Sequence, residues 1–132
     1  MKTTVIVSRF ILGLGFVVFG SNIIHPFLPM PPMLPGTPVA QFSAIMGPCH
    51  WMALVGLFQL IGGALVLFGR TAPLGLALLA PVLVNILAFH VFLEGGVGIG
   101  PGLALSVLEL FLIYSYRGYF SPLFTLDAAP TS

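Results

Sequence analysis

The sequence predicts an all-α integral membrane protein, built as a four-helix bundle. Of its 132 residues, 58% are hydrophobic and only 5% are charged. A soluble domain carries about a quarter charged residues, which it needs to cover a water-facing surface. The apolar residues also fall into four runs, each close to the roughly 20 residues that a helix needs to cross a bilayer core. At this length we expect one domain, residues 1–132.

The four spans are predicted at about 4–24, 51–69, 73–93 and 100–116. Residues 1–24 also have the outline of a signal peptide. However, Arg9 interrupts the apolar run and no small-x-small cleavage site follows, so we expect this segment to remain as a span. Residues 121–132 are predicted as a flexible tail.

The basic residues predict the orientation. An even number of spans places both termini on one side of the bilayer. Lys2, Arg9, Arg70 and Arg117 then all fall on that side. Because basic residues favour the cytoplasmic face, we expect both termini to be cytoplasmic. Because the net charge is only +1, we predict no nucleic-acid partner. The first partner that we predict is the lipid bilayer.

The long outer loop, residues 25–50, is rich in proline. Six of its first fourteen residues are proline, which excludes a regular helix there. Residues 39–46, "VAQFSAIM", lack proline, and we predict a short interfacial helix that ends at Gly47 and Pro48. Because the loop is apolar, we expect it to cap the bundle or to contact a partner.

Two charged residues lie inside predicted spans. Arg9 in span one and Glu109 in span four differ in depth by only about 5 Å at the rise of an α-helix. Charges in hydrocarbon usually face the bundle and pair, so a buried Arg9–Glu109 ion pair is predicted. The alternative is a proton or ligand site at Glu109, which a nearby arginine would oppose by keeping the carboxylate ionised.

Gln59 and Asn85 lie near the middle of spans two and three. Their side chains predict interhelical hydrogen bonds, or alternatively the polar lining of a small apolar pocket. His90 and Glu94 are four residues apart and therefore share a helix face. They are predicted either to fasten the outer loops or to bind a ligand.

Metal binding is a weaker alternative for the outer surface. His25, His50, His90 and Glu94 lie at one predicted level, together with the lone Cys49, and such side chains can hold a metal or haem. None of the tight metal-binding spacings is present, and a single cysteine allows no CxxC pair. We therefore predict no metal and no resident cofactor. The alternative ligand is a quinone, with His90 donating a hydrogen bond to a ring oxygen.

Several stretches resemble the DoxX-like family of small bacterial four-helix membrane proteins. They are "SRFILGLGFVVFGSNIIHPFLPMPPMLPG" (8–36), "QLIGGALVLFGR" (59–70), "PLGLALLAPVLVNILAFHVFLEGG" (73–96) and "YRGYFSPLF" (116–124). The resemblance implies a bundle in the bacterial inner membrane. It also implies redox processes, such as quinone-coupled thiosulfate oxidation or the handling of oxidative stress. This chain has no cysteine pair, and the resemblance brings no set of catalytic residues for such reactions.

Three functions follow as expectations. The first is a non-catalytic accessory subunit of a membrane redox or respiratory complex, with other membrane subunits or a second copy as partner. The alternative is an oxidoreductase component that binds quinone or another small apolar ligand near His90 and Asn85. A small transporter ranks last, because no inverted repeat is evident. No residue is predicted to be catalytic, and enzyme activity is left open.

Overall fold

The computed structural model describes residues 1–130 and is helical, with no strand in that range. The elements are α1 (Lys2–Ile24), α2 (Pro38–Met46), α3 (Trp51–Leu67), α4 (Ala72–Phe92), α5 (Gly100–Ser115) and α6 (Arg117–Phe120), followed by a 3-10 turn (Ser121–Phe124). The all-α prediction is confirmed. The final two residues of the tail predicted at 121–132 lie outside the described residues.

Among these helices, α1 and α4 are each long and apolar enough to cross a membrane. Helices α2 and α3 meet that condition only together, and they are bent by 89° at the break between them. Residues 1–130 therefore contain two candidate spans, or three if the bent pair is one span. Helices α3 and α5 have 17 and 16 residues. Each is about 25 Å long, somewhat shorter than a bilayer core of about 30 Å.

The proline-rich segment behaves as its composition predicts. Residues 25–37 form no regular helix, and α2 begins at Pro38, one residue before the predicted start. The Thr37 hydroxyl accepts a hydrogen bond from the Ala40 amide (3.3 Å) and so caps the helix. At the other end of the segment, Asn22 Oδ1 accepts hydrogen bonds from the amides of Phe27 and Leu28 (2.9 and 2.7 Å). These bonds fix the chain where it leaves α1.

Helices α1 and α3 approach each other at two pairs of glycines. A Cβ atom on Gly13 would lie 2.9 Å from the Gly63 carbonyl oxygen, and one on Gly63 would lie 2.7 Å from the Gly13 oxygen. The Gly20–Gly56 pair is equally close, at 2.6 and 2.8 Å. The residue numbers rise along α1 as they fall along α3, so the two helices are antiparallel. The seven-residue glycine spacing thus marks a contact between backbones.

An adjacent face of α3 packs against α4. A Cβ atom on Gly75 would lie 2.7 Å from the Gly62 carbonyl oxygen. Helix α5 contacts both α4 and α1, which completes a ring of contacts in the order α1, α3, α4, α5. The buried core lies inside this ring and consists of Leu12, Phe16, Val66, Leu76, Leu79, Leu83 and Leu112.

We expect Gly63→Ala to destabilise the protein by about 1–3 kcal/mol, because the added methyl group meets the α1 backbone. The matched control is Gly100→Ala at the start of α5, where an added Cβ meets nothing within 4 Å. Loss of helicity during detergent denaturation, followed by circular dichroism, measures both. Equal stability of the two variants would contradict the close contact.

Candidate functional site

An apolar cleft of about 700 Å³ lies between α3 and α4. Ile23 of α1 and Phe42 of α2 also line it. Phe42 packs edge-to-face on Phe89 of α4, with ring centroids 5.5 Å apart. The cleft is open along the sides of the helices, since Trp51 and several of its neighbours on the wall are exposed. The cleft therefore opens on the side of the helix pair, toward the surroundings of the protein.

Three polar side chains line the otherwise apolar cleft: Gln59, Asn85 and His90. Gln59 is only 3% exposed, and its Oε1 has no hydrogen-bond partner among residues 1–130. Asn85 Nδ2 donates to the carbonyl oxygen of Pro81 at 2.9 Å, within its own helix. The predicted interhelical hydrogen bonds of Gln59 and Asn85 are therefore wrong for residues 1–130. A carbonyl one turn away competes successfully for the Asn85 amide.

His90 is held by the turn that follows α4. Its Nδ1 contacts a carboxylate oxygen of Glu94 and lies 3.2 Å from the carbonyl oxygen of Val97. Both partners are acceptors, so we infer that Nδ1 carries the ring proton. The amide of Gly96 donates to the His90 carbonyl oxygen at 2.7 Å. The turn thus fixes the imidazole and leaves Nε2 free of these contacts.

The other two histidines, His25 and His50, do not line the cleft with His90. No three His, Cys, Asp or Glu side chains among residues 1–130 lie close enough together to hold a metal ion. His25 and His50 are exposed, and the thiol of the exposed Cys49 donates a hydrogen bond to the Met46 carbonyl oxygen (3.4 Å). Of the four metal candidates, His90 and Glu94 contact each other.

The predicted Arg9–Glu109 ion pair is wrong. Arg9 instead donates from Nε to the Val66 carbonyl oxygen (3.1 Å) and from Nη2 to the Leu67 carbonyl oxygen (3.0 Å). The last carbonyls of a helix lack partners within it, so the C-terminus of α3 attracts the guanidinium. Gly69, with φ +72°, leaves the necessary space, because a Cβ there would lie 2.6 Å from Nη2.

Glu109 therefore remains alone. It is 3% exposed, and neither carboxyl oxygen has a hydrogen-bond partner in the part of the chain that the structure describes. It lines a second, smaller groove of about 220 Å³ between α4 and α5. This groove and the α3–α4 cleft share no lining residue, so α4 has one cavity on each of two faces.

Two aromatic residues of the cleft, Phe42 and Phe89, were not singled out in the sequence. Phe42 and Phe89 join α2 to α4, and Trp51 stands at the start of α3. Only the predicted helix over 39–46 signalled that Phe42 has a defined position.

Comparisons with protein-family models, curated proteins and solved structures gave no match.

The roles of Arg9 and Glu109 can be separated by a double-mutant cycle. Arg9→Met should cost about 1.5–3 kcal/mol, because it removes two charge-assisted hydrogen bonds to carbonyls. Since Glu109 is not its partner, the effects of Arg9→Met and Glu109→Gln should add to within about 0.5 kcal/mol. Denaturation of both single variants and the double variant measures this. A coupling energy of about 3 kcal/mol would support the ion pair instead.

Proposed function

We propose that this protein is a DoxX-like, four-span protein of the bacterial inner membrane that binds a quinone-like molecule in the cleft between α3 and α4. Binding, without a catalytic step on this chain, is the proposed role. The observation that carries the proposal is the cleft itself. A largely apolar cavity of several hundred Å³ with a few polar groups is typical of small-molecule sites, and here those groups are Gln59, Asn85 and His90.

The proposed topology uses α1, α3, α4 and α5 as spans, with both termini cytoplasmic. The glycine contacts and the ring of helix contacts support a bundle of these four helices. The shortness of α3 and α5 is compatible with crossing, because a bilayer thins locally around short helices at modest cost. In this topology the cleft opens sideways into the lipid, from which an apolar ligand would enter.

The polar groups suit a head group that both donates and accepts hydrogen bonds. Gln59 supplies an amide whose oxygen is buried and unpartnered. With its proton on Nδ1, a neutral His90 ring offers Nε2 as an acceptor, which fits the hydroxyl of a quinol. Donation from His90 to a quinone oxygen, as the sequence suggested, requires the doubly protonated ring. The Gln59 amide group can donate to such an oxygen instead.

The single tryptophan of the chain provides a direct binding measurement. Trp51 lies on the cleft wall, so a bound short-chain benzoquinone should quench its fluorescence. We expect saturable quenching by decylubiquinone in detergent. Ala88→Phe adds a ring inside the cleft and should weaken binding by about tenfold.

The matched control is Ala104→Phe on α5, an exposed position that lines neither cavity. This variant should bind as the unchanged protein does. Identical, non-saturating quenching in all three proteins would mean that the quinone only partitions into the detergent micelle, and the proposal would fail.

A second candidate function is the accessory subunit of a membrane redox complex. The observation that favours it is the irregular segment 25–37, where Phe27, Met30 and Leu34 are 56%, 67% and 73% exposed. This segment lies beyond the end of α1, at the membrane surface in the proposed topology. Apolar side chains displayed there indicate a protein partner or a second copy.

We expect the Met30→Gln, Leu34→Gln double variant to lose co-purifying membrane subunits during native purification. Leu126→Gln, at a fully exposed tail position, should retain them. Native gel electrophoresis with mass spectrometry of the subunits measures both. An unchanged monomer for all three proteins contradicts the accessory role, whereas quinone binding is unaffected by that outcome.

A further inference from the structure

The groove between α4 and α5 poses a separate chemical problem. Its walls are apolar, formed by residues such as Leu83, Leu87 and Leu110, and it contains the Glu109 carboxyl group. Both oxygens of this carboxyl are buried without a partner. In the proposed topology Glu109 is in the middle third of a span. A carboxyl there normally finds a partner, because leaving it unpaired costs several kcal/mol.

No group within residues 1–130 supplies that partner. The titratable and charged residues on α5 and on the elements packed against it are Lys2, Arg9, His90, Tyr114, Tyr116, Arg117 and Tyr119. None of them forms a hydrogen bond or an ion pair with Glu109 in this range. The nearby hydroxyl of Ser106 donates to the Gly102 carbonyl oxygen (2.8 Å) and is thus committed elsewhere. A partner for Glu109 would therefore have to come from outside residues 1–130.

We propose that the α4–α5 groove binds a small apolar organic cation, an ammonium ion with a hydrocarbon body, which pairs with Glu109. The exchange is balanced: the carboxylic acid releases its proton to water, and the cation forms an ion pair with the resulting carboxylate. No covalent bond between heavy atoms changes, and no electron is transferred.

Two physical arguments favour this occupant. The exchange replaces a neutral acid by a neutral ion pair, so the groove never holds a net charge, which would be expensive in a low-dielectric site. Size is the second argument. A cavity of about 150 Å³ holds one benzene molecule, so about 220 Å³ suits an ion with a single ring.

The exposed apolar residues beside the groove do not indicate a partner helix. Val84, Val107 and Leu110 are each about two-thirds exposed, but lipid tails cover such side chains as well as a helix does. What requires an explanation is the carboxyl group. The groove has room for a small ion beside this carboxyl.

The test uses two probes of the same shape on the full chain in detergent. Benzyltrimethylammonium is the cation, and neopentylbenzene is its uncharged isostere, with carbon in place of nitrogen. Isothermal titration calorimetry in two buffers of different ionisation enthalpy counts the protons released. We expect the cation alone to bind and to release about one proton, with affinity rising about tenfold per pH unit while Glu109 is protonated.

Glu109→Gln should abolish this binding, whereas Asp127→Asn, in the exposed tail, should leave it unchanged. Quenching of Trp51 by decylubiquinone should be normal in both variants, which shows that they are folded and separates this site from the α3–α4 cleft. Equal binding of both probes, binding without proton release, or binding that survives Glu109→Gln would overturn the proposal. Loss of a co-purifying membrane protein from Glu109→Gln would also overturn it, because a partner helix would then occupy the groove.

Discussion

The contact between the backbones of α1 and α3 is the constraint on which the rest of the structure depends. Apolar helices gain little from hydrophobic association in apolar surroundings, so close packing must supply the attraction. The pairs Gly13–Gly63 and Gly20–Gly56 allow each helix to touch the carbonyl oxygens of the other. Arg9 adds a polar clamp at the end of α3, where it donates hydrogen bonds to the carbonyl oxygens of Val66 and Leu67. Together these contacts fix the register of α3.

The position of α3 then determines where the cleft forms. Helices α3 and α4 are close at Gly62 and Gly75, near the turn that joins them. Toward the other end of both helices, large side chains replace the small ones and the space between the helices becomes the cleft. The 89° bend between α2 and α3 brings Phe42 onto Phe89 at that end. The glycines therefore define both the tight end and the open end of the helix pair.

The sequence predicted what hydropathy and periodicity encode. Helix bounds agree to within about two residues, because apolar runs end where loops must begin, and the four-residue spacing placed His90 beside Glu94. The partner of Arg9 was beyond such reasoning. The depth of a residue in the membrane does not say which way its side chain points around the helix axis. Backbone carbonyls at a helix end are also hydrogen-bond acceptors, and they cannot be recognised from the residue types. The cleft was equally hidden, since it depends on the spacing between two helices.

Helix α4 lies between the two cavities, and each cavity is lined by one buried side chain that has no hydrogen-bond partner for an oxygen within residues 1–130. Buried polar atoms in folded proteins nearly always have hydrogen-bond partners. The three buried side-chain atoms without one in residues 1–130 belong to Gln59 and Glu109. One of these residues lines the cleft on one face of α4, and the other lines the groove on another face. Each of these buried side chains therefore lies beside a cavity on a different face of α4. One physical argument, that a buried polar group needs a partner, thus underlies both proposed sites.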